Sequence, residues 1–390
     1  MRLPRFLVLL TLPALLTAVS AVDPATPNPA KGDPELPDGT DKAAKQMATF
    51  RVPAGVKVNL FAAEPKLASP VAISVDDKGR VYVAEEHRLG RGAAENRDNA
   101  AFKFSFFLDD DLRSNTLADR LANYKKWQAK MPGGMDWFSN YSDQVRLVED
   151  TDGDGKADRS SVFAGGFNDP LDGLAAGVLA HNGDVYFTCI PNLWKLRDTK
   201  GTGVADQREK LLTGFGPNIA FFGHDLHGLI VGPDGKLYFS VGDRGFDVTS
   251  KEGKHFAGPR NGAVFRCDMD GSNFEVVMRG LRNPQELAFD QYGNLFADDN
   301  NCDKGDHGRL VYVLEDADAG WNMAYQTIPA PYMAGPWFAE RMWHLPNAGQ
   351  PAWILPPVGK IGTGPAGSLF TSGTRLPARY KNSFIMCNYT

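Results

Sequence analysis

The chain has 390 residues, 43% hydrophobic and 23% charged, which suits one large folded domain. Its net charge of −5 offers no electrostatic footprint for nucleic acid. Beyond the N-terminus no run of 18 apolar residues occurs, so no membrane span is expected in the mature segment.

Residues 1–21 carry Arg2 and Arg5, an apolar run from Phe6 to Val19 and the small-residue site Val19-Ser20-Ala21. That is a secretory signal pattern, too short for a membrane span, and it predicts export to the periplasm or beyond. With no Arg-Arg pair, Sec-type export is expected. Residues 22–47, rich in Pro, Asp, Lys and Gly, read as a flexible linker ahead of a β domain over 48–390. Residues 56–61 (Val-Lys-Val-Asn-Leu-Phe) follow, patterned as a strand suited to closing a ring of blades.

Five segments then share one theme: Gly79-Arg80-Val81-Tyr82-Val83, Gly183-Asp184-Val185-Tyr186-Phe187, Gly235-Lys236-Leu237-Tyr238-Phe239, Gly293-Asn294-Leu295-Phe296-Ala297 and Gly367-Ser368-Leu369-Phe370-Thr371. Their glycines are 104, 52, 58 and 74 residues apart. A period near 50 with about four short strands per unit predicts an all-β propeller. The long first interval is explained by residues 87–143, where Leu117, Leu121 and Tyr124 follow a Thr116 N-cap at helical spacing: a partly helical insertion. Five repeats fit a closed five-bladed ring or a six-bladed ring lacking its last blade, and the six-bladed reading is the expectation here.

Residues 150–158 (Asp-Thr-Asp-Gly-Asp-Gly-Lys-Ala-Asp) form the clearest metal signal. Asp150, Asp152 and Asp154 with Gly155 can wrap the chain around calcium, Lys156 offering its carbonyl and Asp158 a further carboxylate. Position 12 is Ser161 rather than Glu, so this is no EF-hand. A decayed copy starts 48 residues later at Asp198, with Lys200 in a ligand place, and is expected to bind nothing. Cys189, Cys267, Cys302 and Cys387 allow three disulfide connectivities, among which the sequence does not choose.

Residues 223–245 (GHDLHGLIVGPDGKLYFSVGDRG) read as a hairpin around a Pro233-Asp234-Gly235 turn, with His224 before it and Asp243-Arg244 after it. His227 is assigned a structural role. Arg282, Asn283 and Gln285 surround Pro284 directly before a strand, where they either converge on a ligand or only build a blade turn. Residues 298–307 form an oxygen-rich loop, suited to a second cation or to solvent.

Residues 224–245, 280–296, 319–321 and 364–373 together resemble the soluble quinoprotein glucose/sorbosone dehydrogenases, six-bladed propellers that bind pyrroloquinoline quinone (PQQ) and calcium. Further details are similar to an exported, membrane-bound dehydrogenase-like branch whose longer members end in helical repeats and a cytochrome c module. The resemblance implies His224 as catalytic base and Asp243, Arg244, Arg282, Asn283 and Gln285 as the quinone-binding set. It puts the active-site calcium on backbone carbonyls of Asn300, Asn301 and Cys302, with Asp306 nearby. Two departures are plain: the family's Gln-Gly-Pro run is absent at 300–302, and Leu171 replaces a cofactor-positioning glutamine. The implied activity is an exported, PQQ-dependent oxidation of a sugar or other alcohol, with a cytochrome c acceptor. The competing readings are a non-catalytic, calcium-stabilised propeller that binds carbohydrate or protein and, more weakly, a lactonase-type hydrolase.

Overall fold

The computed structural model describes residues 41–98, 103–301, 306–326, 336–342, 355, 357–373 and 376–388. The signal segment, most of the linker and Cys302 lie outside them. Within the expected linker, Lys42–Met47 (KAAKQM) form a short helix, α1, as the helix-favouring composition allows.

Four antiparallel sheets follow one another, each running from an inner strand outward. Blade 1 comprises β1 (Pro70–Val75), β2 (Val81–Glu85), β3 (Asp143–Glu149) and β4 (Arg159–Phe167). Blade 2 comprises β5 (Ala175–His181), β6 (Asp184–Cys189), β7 (Asn192–Arg197) and β8 (Gln207–Thr213). Blade 3 uses β9 (Leu226–Val231) and β10 (Leu237–Val241), then detours through the hairpin β11 (Phe246–Thr249) and β12 (His255–Gly258) before β13 (Gly262–Cys267) and β14 (Glu275–Leu281). Blade 4 is β15 (Pro284–Phe289), β16 (Leu295–Asp299) and β17 (Gly308–Tyr312), completed, after β18 (Ala317–Asp318) has joined blade 3, by β19 (Gly359–Ile361). A fifth blade is represented by β20 (Pro365–Thr371) and β21 (Ser383–Asn388). Strand β1 lies against β5, β5 against β9, β9 against β15 and β15 against β20, so the inner strands stand side by side around an axis. The fold is a β-propeller.

The repeat has a local cause. In blades 1 to 4 the Gly-led motif is the second strand, and its glycine closes the hairpin from the inner strand with φ of 80° (Gly79), 82° (Gly183), 76° (Gly235) and 83° (Gly293). That left-handed region suits glycine because a Cβ would clash there. Gly367 breaks the series. It sits inside inner strand β20, and the turn before second strand β21 is made instead by Asn382 at φ 52°. The fifth copy repeats the letters but not the position. Residues 56–61 likewise form no strand. Phe61 packs on Val81, Val83 and Val148 and accepts a hydrogen bond from Ala157 at 2.8 Å, while Ala54 accepts one from Arg379 beside blade 5. The alternating pattern is real, but those backbone groups meet loops rather than a free ladder.

Blade faces meet through apolar side chains. Phe215, Phe239 and Phe265 are each 0% exposed between blades 2 and 3, and burying each one contributes about 1.5–3 kcal/mol. Cys189, Cys267 and Cys387 are free thiols. Burial pushes the Cys267 thiol up to about 12, so it is an inert core residue.

The insertion leaves at the end of β2, after Glu85, and returns at the start of β3, at Asp143. It contains α2 (Leu108–Asp111) and α3 (Leu117–Trp127), the latter opened by a capping box between Thr116 and Asp119. Phe107, Tyr124, Trp137 and Phe138 pack onto Ile219 and Phe222, in the loop that leads to β9.

Candidate functional site

Strands in each blade alternate in direction, so inner strands begin and second strands finish at the same end of the propeller. Residues flanking those termini from different blades therefore meet. His224 precedes β9, Asp243 follows β10, Arg282 and Asn283 precede β15, and Asp299 ends β16.

His224 is buried, and its Nδ1 lies 2.6 Å from Asp243 Oδ1. The other carboxylate oxygen of Asp243 accepts from Trp321 Nε1 at 2.9 Å, and its backbone N donates to the Arg282 carbonyl at 2.7 Å. Trp321 is itself fixed edge-on against Trp337. A carboxylate can only accept, so Nδ1 carries the proton and Nε2 keeps its lone pair. Burial holds His224 below its ordinary value of 6.5, against the opposing pull of Asp243. The resting imidazole is neutral. That is the form a general base needs.

The loop beneath is held by one atom. The Gly223 carbonyl accepts from Asn283 Nδ2 at 3.1 Å and Gln285 Nε2 at 3.0 Å, and His227 Nε2 approaches it to 2.7 Å. Asn283 is also fixed through its backbone N, which donates to Asp299 at 2.7 Å, while its buried Oδ1 has no partner. A Cβ on Gly242 would stand 2.7 Å from that Oδ1 and 2.8 Å from His224, so only glycine admits this approach.

The two arginines are engaged internally. Arg282 Nε donates to Gln326 at 2.8 Å between the rings of Phe221 and Trp321, and Arg244 donates to Asp225 at 2.8 Å with 1% exposure. Asn300, Asn301 and Asp306 are buried beside this end of blade 4, and Asn300 N donates to the Asn283 carbonyl at 3.2 Å. His224, Asp243, Arg282, Asn283, Gln285 and Asn300 are thus brought together, while Arg244 faces the blade 2 side through Asp225.

The insertion supplies partners that the sequence reading passed over. Asp111 accepts from Ile219 N at 2.6 Å and Ala220 N at 2.9 Å, bracing the segment that leads to His224. Arg97 stacks over Phe221 at 4.4 Å. Glu86, which follows β2, is pushed up to about 8 by burial and by Asp143 and Asp225. Asp111 closes an Asp109-Asp110-Asp111 run that looks like a solvated turn, so no local pattern marks it. Trp321 did carry a signal, the Ala-Gly-Trp match, but its bond to Asp243 comes only from the fold.

The 150–158 loop lies at the opposite end, between β3 and β4. Carboxylate oxygens of Asp150, Asp152 and Asp158 lie within 4.8 Å of one another. Asp154 is turned to accept from Lys156 N at 2.7 Å, outside that group. In the decayed copy Lys200 Nζ stands 3.6 Å from Asp206, an internal cation where the first loop has none. A groove of about 540 Å³ between the start of α3 and β8, lined by Thr116, Lys210, Asp247 and Lys251 among others, includes none of the His224 group.

The family described as a domain of unknown function, DUF7133, matches residues 42–390. No curated protein matches the sequence. Solved structures similar to it include the PQQ-bound aldose sugar dehydrogenase of Streptomyces coelicolor, at 16% identity and a TM-score of 0.44, covering 79% of this chain and 73% of that one. The apo soluble aldose sugar dehydrogenase of Escherichia coli is 11% identical with a TM-score of 0.45, covering 83% and 86%. The holo PQQ domain of pyranose dehydrogenase from Coprinopsis cinerea is 13% identical with a TM-score of 0.42, covering 79% and 69%.

Proposed function

For a chain that belongs to the DUF7133 family, we propose an exported, PQQ-dependent dehydrogenase that oxidises a sugar or other alcohol with His224 as general base. The observation that carries this reading is the buried His224–Asp243 pair, 2.6 Å apart, at the end of the propeller where Asn283 leaves a buried oxygen without a partner. Bound there, the quinone would supply the hydride acceptor. The residues fit in part: Asn283 Oδ1 and Gln285 would contact the cofactor, and carbonyls of Asn300 and Asn301 would hold calcium beside it. His224 takes the hydroxyl proton on Nε2, Asp243 holds the ring and stabilises its charged form, and Trp321 holds Asp243. The insertion packed over this end limits water. A second calcium on Asp150, Asp152 and Asp158 would be structural. A cytochrome c acceptor belongs to the same proposal.

One observation favours the non-catalytic reading. Arg282 and Arg244 bond to Gln326 and Asp225, so neither offers an uncommitted charge to a quinone carboxylate. The deciding experiment adds PQQ and calcium to the full-length protein and follows its absorbance, then dye reduction with sugars and polyols. Quinone binding with turnover that His224→Ala abolishes supports the dehydrogenase. No binding and no oxidation of any alcohol leaves a calcium-stabilised binding propeller.

A further inference from the structure

The second strands of blades 2, 3 and 4 can be aligned residue by residue from their turn glycines, Gly183, Gly235 and Gly293. Five positions after each glycine stand Thr188, Ser240 and Asp298. Thr188 Oγ1 donates to the Leu226 carbonyl at 2.5 Å, and Ser240 Oγ to the Pro284 carbonyl at 2.6 Å. Each hydroxyl thus ties its blade to the inner strand of the next. The facing inner-strand residues are Gly177 and Gly228, where a Cβ would come within 2.7 Å of Thr188 Oγ1 and 3.0 Å of Ser240 Oγ.

At the seam between blades 4 and 5 both positions change together. Asp298 replaces the hydroxyl, and Glu286, its register partner across β15 and β16, replaces the glycine. Asp298 is 1% exposed, and neither carboxylate oxygen has a hydrogen-bond partner. From blade 5 the Ser368 side chain stands against Asp298, and its hydroxyl is buried with no other partner. Cross-strand neighbours hold their Cβ atoms about 5 Å apart, so half-buried Glu286, whose Oε1 accepts from Leu287 N at 3.2 Å, stands beside buried Asp298. Buried charges are otherwise paired or coordinate metals.

We propose that Glu286, Asp298 and the Ser368 hydroxyl form a site for a hard divalent cation, which joins blade 4 to blade 5 where the two preceding seams use a hydroxyl. The donor set is all oxygen, as calcium and manganese require. The site is separate from the 150–158 loop. It also differs from the expected carbonyl set at 300–301, because Asp299 turns the other way, toward the Arg282 and Asn283 backbone.

The test is equilibrium dialysis of the full-length protein against Mn²⁺ without quinone, with bound metal counted by mass spectrometry. An Asp152→Ala background removes the exposed loop. Glu286→Gln and Asp298→Asn should each lower the stoichiometry by one ion and abolish the Mn²⁺-dependent rise in Tm. If Asp298→Asn fails to fold, Glu286→Gln decides alone. Unchanged stoichiometry in a folded amide variant overturns the proposal and leaves the pair sharing a proton. No substrate or quinone is present, so the outcome is independent of the redox reading.

Discussion

At the end of the propeller that carries His224, carboxylates find their partners far away in the chain. Asp243 reaches Trp321, Asp111 reaches Ile219 and Ala220, and Asp299 reaches Arg282, Asn283 and Arg309. At the opposite end the outer-strand turns satisfy themselves. Asp150 accepts from Gly153 N at 2.7 Å and Gly155 N at 2.9 Å, and Asp198 accepts from Gly203 N at 2.7 Å. One end is assembled by several blades and an insertion; the other is a row of independent loops. A substitution in a loop should therefore stay local, whereas one at the assembled end should spread through its network.

The largest effect is expected at the assembled end. In the quinone-loaded protein, His224→Ala should lower turnover by ~10²–10⁴-fold while circular dichroism stays unchanged. Equal turnover would remove His224 from the chemistry. Asp243→Asn should cost less and should also move the acid limb of kcat/KM to lower pH. Asp243 is the group that raises the His224 pKa against burial, so removing its charge lets the imidazole stay neutral in more acidic solution. An acid limb that moves upward would contradict the pairing.

The loop end should respond to cation alone. Asp152→Ala should abolish a calcium-dependent rise in Tm on the order of a few degrees, with turnover at saturating calcium preserved. A parent protein whose melting is the same with and without chelator would show that this loop binds no structural ion.

His227 sharpens the comparison from within the assembled end. It lies three residues from His224 and is likewise depressed by burial, yet its partner is the Gly223 carbonyl rather than a carboxylate. His227→Ala should cost about 1 kcal/mol of stability for the lost hydrogen bond, with turnover changed only a few-fold. Both histidines titrate lower in the folded state than in the unfolded chain. Their contribution is therefore present above pH 6.5 and is lost as pH falls through their folded values. Melting followed from pH 7.5 down to 5.5 should show it, and the slope should flatten in the His227→Ala variant.

What the sequence determined by itself was whatever short-range chemistry controls. Four turn glycines, the alternation in β9 and β10, the Thr116 cap and the Asp150 loop were legible because each is satisfied within a few residues. The same rule misplaced two features. Gly367 carries the repeat's letters but lies inside an inner strand, and residues 56–61 have strand alternation but no ladder to join. Lys42–Met47 were read as linker from their surroundings although their own composition favours helix. Tertiary structure alone decided that Trp321 would hold Asp243, that Asp111 would brace the loop before His224, and that Asp298 would face Ser368 of a neighbouring blade. Blade-to-blade contacts join residues tens of positions apart, and the partner of a buried polar group is chosen by that packing rather than by its neighbours in the chain.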